Sequence, residues 1–102
     1  MKIPQRINIF SEIYTVKFEP DIFPNNTGKM LQGQADYTNK TIRIVKADTV
    51  SMLKTLSHEI IHIICSELNL YSDEHDEAFI DRLATGFIDT MIRNNIIKGG
   101  EK

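Results

Sequence analysis

The first half of the chain carries its apolar residues in short, strand-like runs, and the second half carries them at helical steps. Ile7, Ile9, Ile13, Val16 and Phe18 supply β-favouring apolar positions, interrupted by Asn8, Ser11 and Glu12. This predicts strands at about 6–10 and 13–18 joined by a short turn. Residues 19–28, with two prolines, paired asparagines and a glycine, read as a loop long enough to line or cover a site. Residues 32–45 read as a second hairpin, its turn at Thr38-Asn39-Lys40, where Asn39 tolerates the left-handed conformation. Ile42 and Ile44 alternate with Thr41 and Arg43, so one face of that strand is buried.

From Asp48 or Thr49, either of which can cap a helix, an apolar helix is predicted to run to about Asn69. Leu53, Leu56, Ile60, Ile61, Ile63, Ile64 and Leu68 cover most of its circumference, which predicts a buried helix. Leu70-Tyr71-Ser72 closes it, and Ser72 or Asp73 can start the next. That second helix is predicted from about Asp73 to Asn94 or Ile97. Phe79, Ile80, Leu83, Phe87, Ile88, Met91 and Ile92 form its stripe, and the small residues Ala84 and Gly86 permit close approach to the first helix. The expected fold is therefore α+β: a small twisted antiparallel sheet of hairpins packed on a buried helix and a second, C-terminal helix. One domain spans 1–102, β-rich over 1–48 and helical over 49–97, with a frayed tail at 98–102.

Composition changes this picture little. The net charge of −2 gives no reason to expect nucleic acid or an anionic membrane as partner. No run is apolar enough to span a bilayer and no signal-peptide pattern opens the chain, so a cytoplasmic protein is the default expectation. The single cysteine, Cys65, excludes an internal disulfide framework and reads as a small buried apolar residue. Oligomeric state is open.

The chemistry is concentrated in His58-Glu59-Ile60-Ile61-His62. At about 100° per residue, His58 and His62 lie about 40° apart, one above the other on one face. Two imidazoles so placed can bind one Zn²⁺, and Glu59 falls beside it, where it can take a proton from water. A polar pair in an apolar setting needs partners, because an unpaired buried polar group costs on the order of 1–3 kcal/mol. A catalytic zinc takes a third protein ligand and leaves its fourth position to water. Glu77 and Asp81, four apart on one face of the second helix, are the candidates. The pattern Glu77-x-x-x-Asp81 resembles the E-x-x-x-D of glutamate-zincins such as thermolysin, which implies a ligand glutamate and an aspartate that orients a ligand histidine. In the competing register Asp81 is the ligand. It lies 19 residues past His62, closer to the usual spacing in that group than Glu77 at 15. His75 reads as solvated. Tyr37 or Tyr71 could donate to an oxyanion, and each is more often a packed aromatic with a wet hydroxyl.

Taken together, the chain resembles the small phage- and prophage-associated proteins of the ImmA/IrrE-like metallopeptidase group. The resemblance covers Lys2-Ile3-Pro4 with its hairpin, Gly33-x-Ala35-Asp36-Tyr37 to Ile42-x-Ile44, Thr55-Leu56-x-His58-Glu59-x-x-His62, and Glu77 to Asp81-x-Leu83-Ala84-x-Gly86-Phe87. Aligned on Ala84 and Phe87, the group's third-ligand glutamate falls on Asp81 and its asparagine on Thr85, both departures. That register favours Asp81, with Glu77 next. The resemblance implies a minimal zincin-like fold, a bacterial host cytoplasm, and a zinc metallopeptidase with a narrow protein or peptide substrate. The competing expectation is a catalytically silent zincin-fold phage accessory protein that binds a host or phage regulator. A plain α+β interaction domain, with both histidines incidental, ranks last.

Overall fold

The computed structural model describes residues 3–23, 28, 30–70, 77–94 and 96. Four strands come first, β1 (Arg6–Ile9), β2 (Glu12–Glu19), β3 (Gly33–Asp36) and β4 (Thr41–Val45), followed by helices α1 (Thr49–Glu67) and α2 (Glu77–Arg93). The α+β class expected from the pattern is the fold observed. The sheet differs in one respect: it is mixed. Each hairpin is antiparallel, but β2 and β4 pair in parallel, giving the order β1-β2-β4-β3. β3, the next strand after β2 in the chain, forms the far edge, and β4 lies between β3 and β2. Strand patterning fixes which face is buried. It does not fix which edge of one hairpin accepts the next.

Local rules explain the turns, with one correction. The β3–β4 turn is held by the Asp36 carboxylate, which accepts from the Thr38 and Asn39 backbone N–H groups at 3.1 and 3.0 Å and from the Asn39 amide at 2.9 Å. The left-handed residue is Lys40 (φ 52°), not Asn39. With its side chain and backbone committed to Asp36, Asn39 leaves the reversal to its neighbour. Asn69 (φ 58°) takes the left-handed conformation just past α1, a common way to end a helix. Asp48 caps the start of α1, its carboxylate accepting from Ser51 N–H at 3.1 Å and Ser51 Oγ at 2.7 Å.

The core lies between α1 and the inner face of the sheet: Ile9, Tyr14, Val16, Ile42, Ile44, Leu56 and Ile63. Tyr14, completely buried, is a core residue that the apolar pattern passes over, whereas Ile13 faces out. β2 simply runs in the register that its odd-numbered residues leave exposed.

Two burial expectations need correction. α1 is not buried all round. It buries Leu53, Leu56, Glu59, His62 and Ile63, while Ile60, Ile61 and Ile64 are half-buried and Leu68 is exposed. α2 buries only Ile80, Ala84 and Ile88, leaving Phe79, Leu83 and Phe87 exposed. Gly86 points away from α1 into open space. The reason is geometric. Among the described residues α2 packs on α1 and makes no comparable contact with the sheet, so one helix covers one stripe. The predicted caps Ser72 and Asp73, Tyr71, His75 and the tail 98–102 lie outside the described residues.

Candidate metal centre

α1 lies across β3 and β4 and turns His58, Glu59 and His62 toward the edge strand. There a cleft of about 660 Å³ opens between β3, α1 and the first two turns of α2. Its walls include Gly33, Gln34, Ala35 and Tyr37 from the β3 side, Lys54, Thr55 and the three motif residues from α1, and Glu77, Asp81 and Thr85 from α2.

The two imidazoles meet as helical spacing requires, with Nε2 atoms 3.1 Å apart. The Glu77 carboxylate closes the triangle: Oε1 lies 2.9 Å from His58 Nε2 and Oε2 lies 3.0 Å from His62 Nε2. His58, His62 and Glu77 are thus the group that could hold a metal ion among the described residues. A tetrahedral zinc with bonds near 2.0–2.1 Å sets its ligand atoms about 3.3 Å apart, close to these three spacings.

Asp81 takes a different place from the ligand position that the resemblance implied. Its Oδ1 lies 3.5 Å from His58 Nδ1, on the opposite side of the ring from Glu77. Glu77 reaches both histidines because it lies one turn closer to the start of α2 and has one methylene more. Sequence spacing left the two carboxylates in competition; the fold separates them onto the two nitrogens of one imidazole.

Proton bookkeeping bears on whether a cation suits this group. If both Nε2 atoms carry protons for Glu77, each neutral ring has an unprotonated Nδ1, and that of His58 then faces the Asp81 carboxylate. If a cation takes the Nε2 lone pairs and Glu77, the His58 proton moves to Nδ1, where it donates toward Asp81. The donor set can therefore accommodate a cation.

Charge and burial separate the two glutamates. Glu77 is two-thirds exposed and reaches inward from the rim of the cleft. Burial alone would raise its carboxyl, but charge and hydrogen bonding from His62 and His58 hold it below its usual value. Glu59 is buried. Desolvation pushes its carboxyl up to about 7, with the His58 charge opposing and Glu77 reinforcing the shift.

Gly33 is the functional position that sequence reasoning quoted but gave no role. A Cβ there would lie 2.5 Å from Thr55 Cγ2, 3.2 Å from Glu59 Oε2 and 3.3 Å from the Arg43 carbonyl. Only a glycine lets β3 lie this close to α1 and leaves the Glu59 carboxylate its space. The legible signal was a lone glycine at the head of a strand, which often marks a close backbone approach. β3 is also an edge of the sheet. Val45 N–H donates to the Gln32 carbonyl at 2.9 Å, and antiparallel alternation then directs the backbone groups of Gly33 and Ala35 to the free side, along the cleft. Tyr37 stands at the end of that edge, partly exposed. Cys65 is half-buried on α1 and lines no part of the cleft.

Comparison of the chain with protein-family models, with curated proteins and with solved structures returned no match. No helix among the described residues is long and apolar enough to cross a membrane.

Proposed function

We propose that this protein is a zinc-dependent peptide hydrolase of narrow substrate range. The observation that carries the reading is the Glu77 carboxylate set across both Nε2 atoms of His58 and His62, with the buried Glu59 beside them in an open cleft. His58, His62 and Glu77 would hold the zinc. The ion would supply Lewis acidity to a water molecule and to the scissile carbonyl.

The chain's own groups do the rest. Asp81 holds His58 in the tautomer with its proton on Nδ1, which keeps Nε2 free as a ligand. Glu59, with an affinity for protons matched to neutral pH, takes a proton from the attacking water and returns it to the departing amine nitrogen. The free side of β3 offers the Gly33 and Ala35 backbone groups for pairing with an extended peptide. The resemblance to ImmA/IrrE-like metallopeptidases supports the same reading.

The test begins with metal content by mass spectrometry on protein purified without added zinc, followed by peptide-library digestion. Near-stoichiometric zinc and cleavage are expected for the parent protein. Glu59→Gln should keep the zinc and lose the cleavage, and His58→Ala should lose both. Full cleavage by Glu59→Gln would remove the assigned mechanism. Protein free of zinc would favour a binding module that uses the same fold without catalysis.

A further inference from the structure

The structure points to a second copy of this chain as the occupant of the outer face of α2, and we propose an antiparallel α2–α2 dimer centred on Gly86. At about 100° per residue, Phe79, Leu83 and Phe87 span only about 80° of the helix surface. They form a continuous apolar stripe, each residue about half exposed. The stripe adjoins the arc of Ile80, Ala84 and Ile88 that packs on α1, but it faces away from the molecule.

The residues around the stripe are self-complementary. Gly86 borders the stripe, about 20° beyond Phe79 and about 60° from Leu83 round the helix, and nothing lies within 4 Å of where its Cβ would be. A helix can therefore approach closely along that border, with Phe79 and Leu83 of both copies nearest the crossing and Phe87 at its edge. Along one flank run Arg82 and Asp89, seven residues and about 20° apart. They lie almost symmetrically about Gly86. In an antiparallel pair, groups on the same flank of the two helices face each other, so Arg82 of each copy meets Asp89 of the other at both ends of the crossing. Asp89 already accepts from Arg93 Nε through Oδ2 at 2.7 Å, which fixes its carboxylate and leaves Oδ1 for the second guanidinium. Arg82 has no ion-pair partner among the described residues. A parallel pairing would carry this flank of the two helices to opposite sides of the contact, where Arg82 and Asp89 do not meet.

The area is modest, at the low end for specific interfaces, so a dimer that dissociates on dilution is expected. It would also brace α2, which among the described residues is held to the rest of the molecule through α1.

Sedimentation velocity on the full chain, from low to high micromolar concentration, tests this. The parent protein should shift from monomer to dimer. Leu83→Asp and the milder Leu83→Gln should stay monomeric while keeping parent helicity by circular dichroism. Arg82→Glu alone and Asp89→Arg alone should each weaken the dimer by about tenfold, since two exposed pairs are lost and like charges approach. Mixing these two variants should restore it. The introduced glutamate of one then faces the introduced arginine of the other, and at the opposite end the native Asp89 faces the native Arg82. Helix weakening by either substitution cannot produce that rescue. A parent protein that stays monomeric throughout would give the stripe to a different partner and overturn the proposal. So would a dimer indifferent to both Leu83 variants, or a mixture that associates no better than its components.

Discussion

The two helices break the ordinary rule of burial in opposite directions. α1 puts polar groups inside: Glu59 and His62 are both more than nine-tenths buried. α2 puts apolar groups outside: Phe79, Leu83 and Phe87 are all about half exposed. A buried polar group loses water and needs a partner: Glu77 supplies one to His62, while Glu59 stands close to β3 at Gly33 and keeps its proton more tightly. An exposed apolar group keeps unfavourable contact with water until something covers it. The first deviation gathers other polar groups within the chain around His62 and reads as a site. The second leaves Leu83 and Phe87 half open to solvent, and the proposed dimer reads it as an interface. The same two helices supply both, because α2 presents its acidic first turns to α1 and its apolar outer arc to solvent.

The largest expected effect breaks the answer given to α1. Removing Glu77 deprives both imidazoles of the carboxylate that joins them, so Glu77→Ala should abolish stoichiometric zinc binding in isothermal titration. Asp81→Asn should keep the zinc but weaken it by about 10–100-fold, the usual cost of losing a partner that orients a ligand. Reversal of that order, with Asp81→Asn losing the metal and Glu77→Ala retaining it, would reinstate the register favoured by family alignment.

A second prediction sets the two arcs of α2 against each other. Ile80 is buried against α1, and Ile80→Ala should cost about 2–5 kcal/mol in urea unfolding. Leu83 lies three residues on, and Leu83→Ala should change stability by no more than about 0.5 kcal/mol when measured at high dilution. Equal costs at the two positions would mean that the outer stripe is packed within the monomer, and the contrast between the helices would fail.

Much of this was legible in the residues. The strands, both hairpins, the start of α1 at Asp48 and the pairing of His58 with His62 follow from periodicities and caps that act over a few residues. What the sequence left open depends on contacts between distant segments. The parallel pairing of β2 with β4 is a choice of edge, and alternation is blind to it. The separation of Glu77 from Asp81 depends on the axial position of α2 along α1, and a one-turn slide exchanges them without altering either helix. The exposed stripe on α2 was hidden for a related reason. Seven apolar positions at helical steps look like one amphipathic face, and only the number of neighbouring elements shows how few of them one helix can cover. Gly33 was visible as a glycine, but its consequence lies in Thr55 and Glu59, more than twenty residues away.

The last prediction measures what α1 gives up for its polar interior. Burial holds the Glu59 carboxyl near pH 7 in the folded protein, against an ordinary value of 4.5. A raised acid binds more protons when folded than when unfolded, so stability falls as pH rises between these two values. The contribution is fully present below about 4.5, is lost progressively as pH rises through about 7, and leaves a constant deficit above it. That difference corresponds to roughly 3 kcal/mol, an upper figure because water entry and side-chain rearrangement relieve part of it. In metal-stripped protein, Glu59→Gln should therefore remove most of the decline in stability between pH 5 and pH 8. At pH 8 it should be more stable than the parent, as read from urea midpoints across that range. The two proteins differ only at position 59, so the difference between their two curves reports that carboxyl. If the curves run parallel from pH 5 to pH 8, the carboxyl is not held up by burial. The buried face of α1 would then carry no more strain than the exposed face of α2.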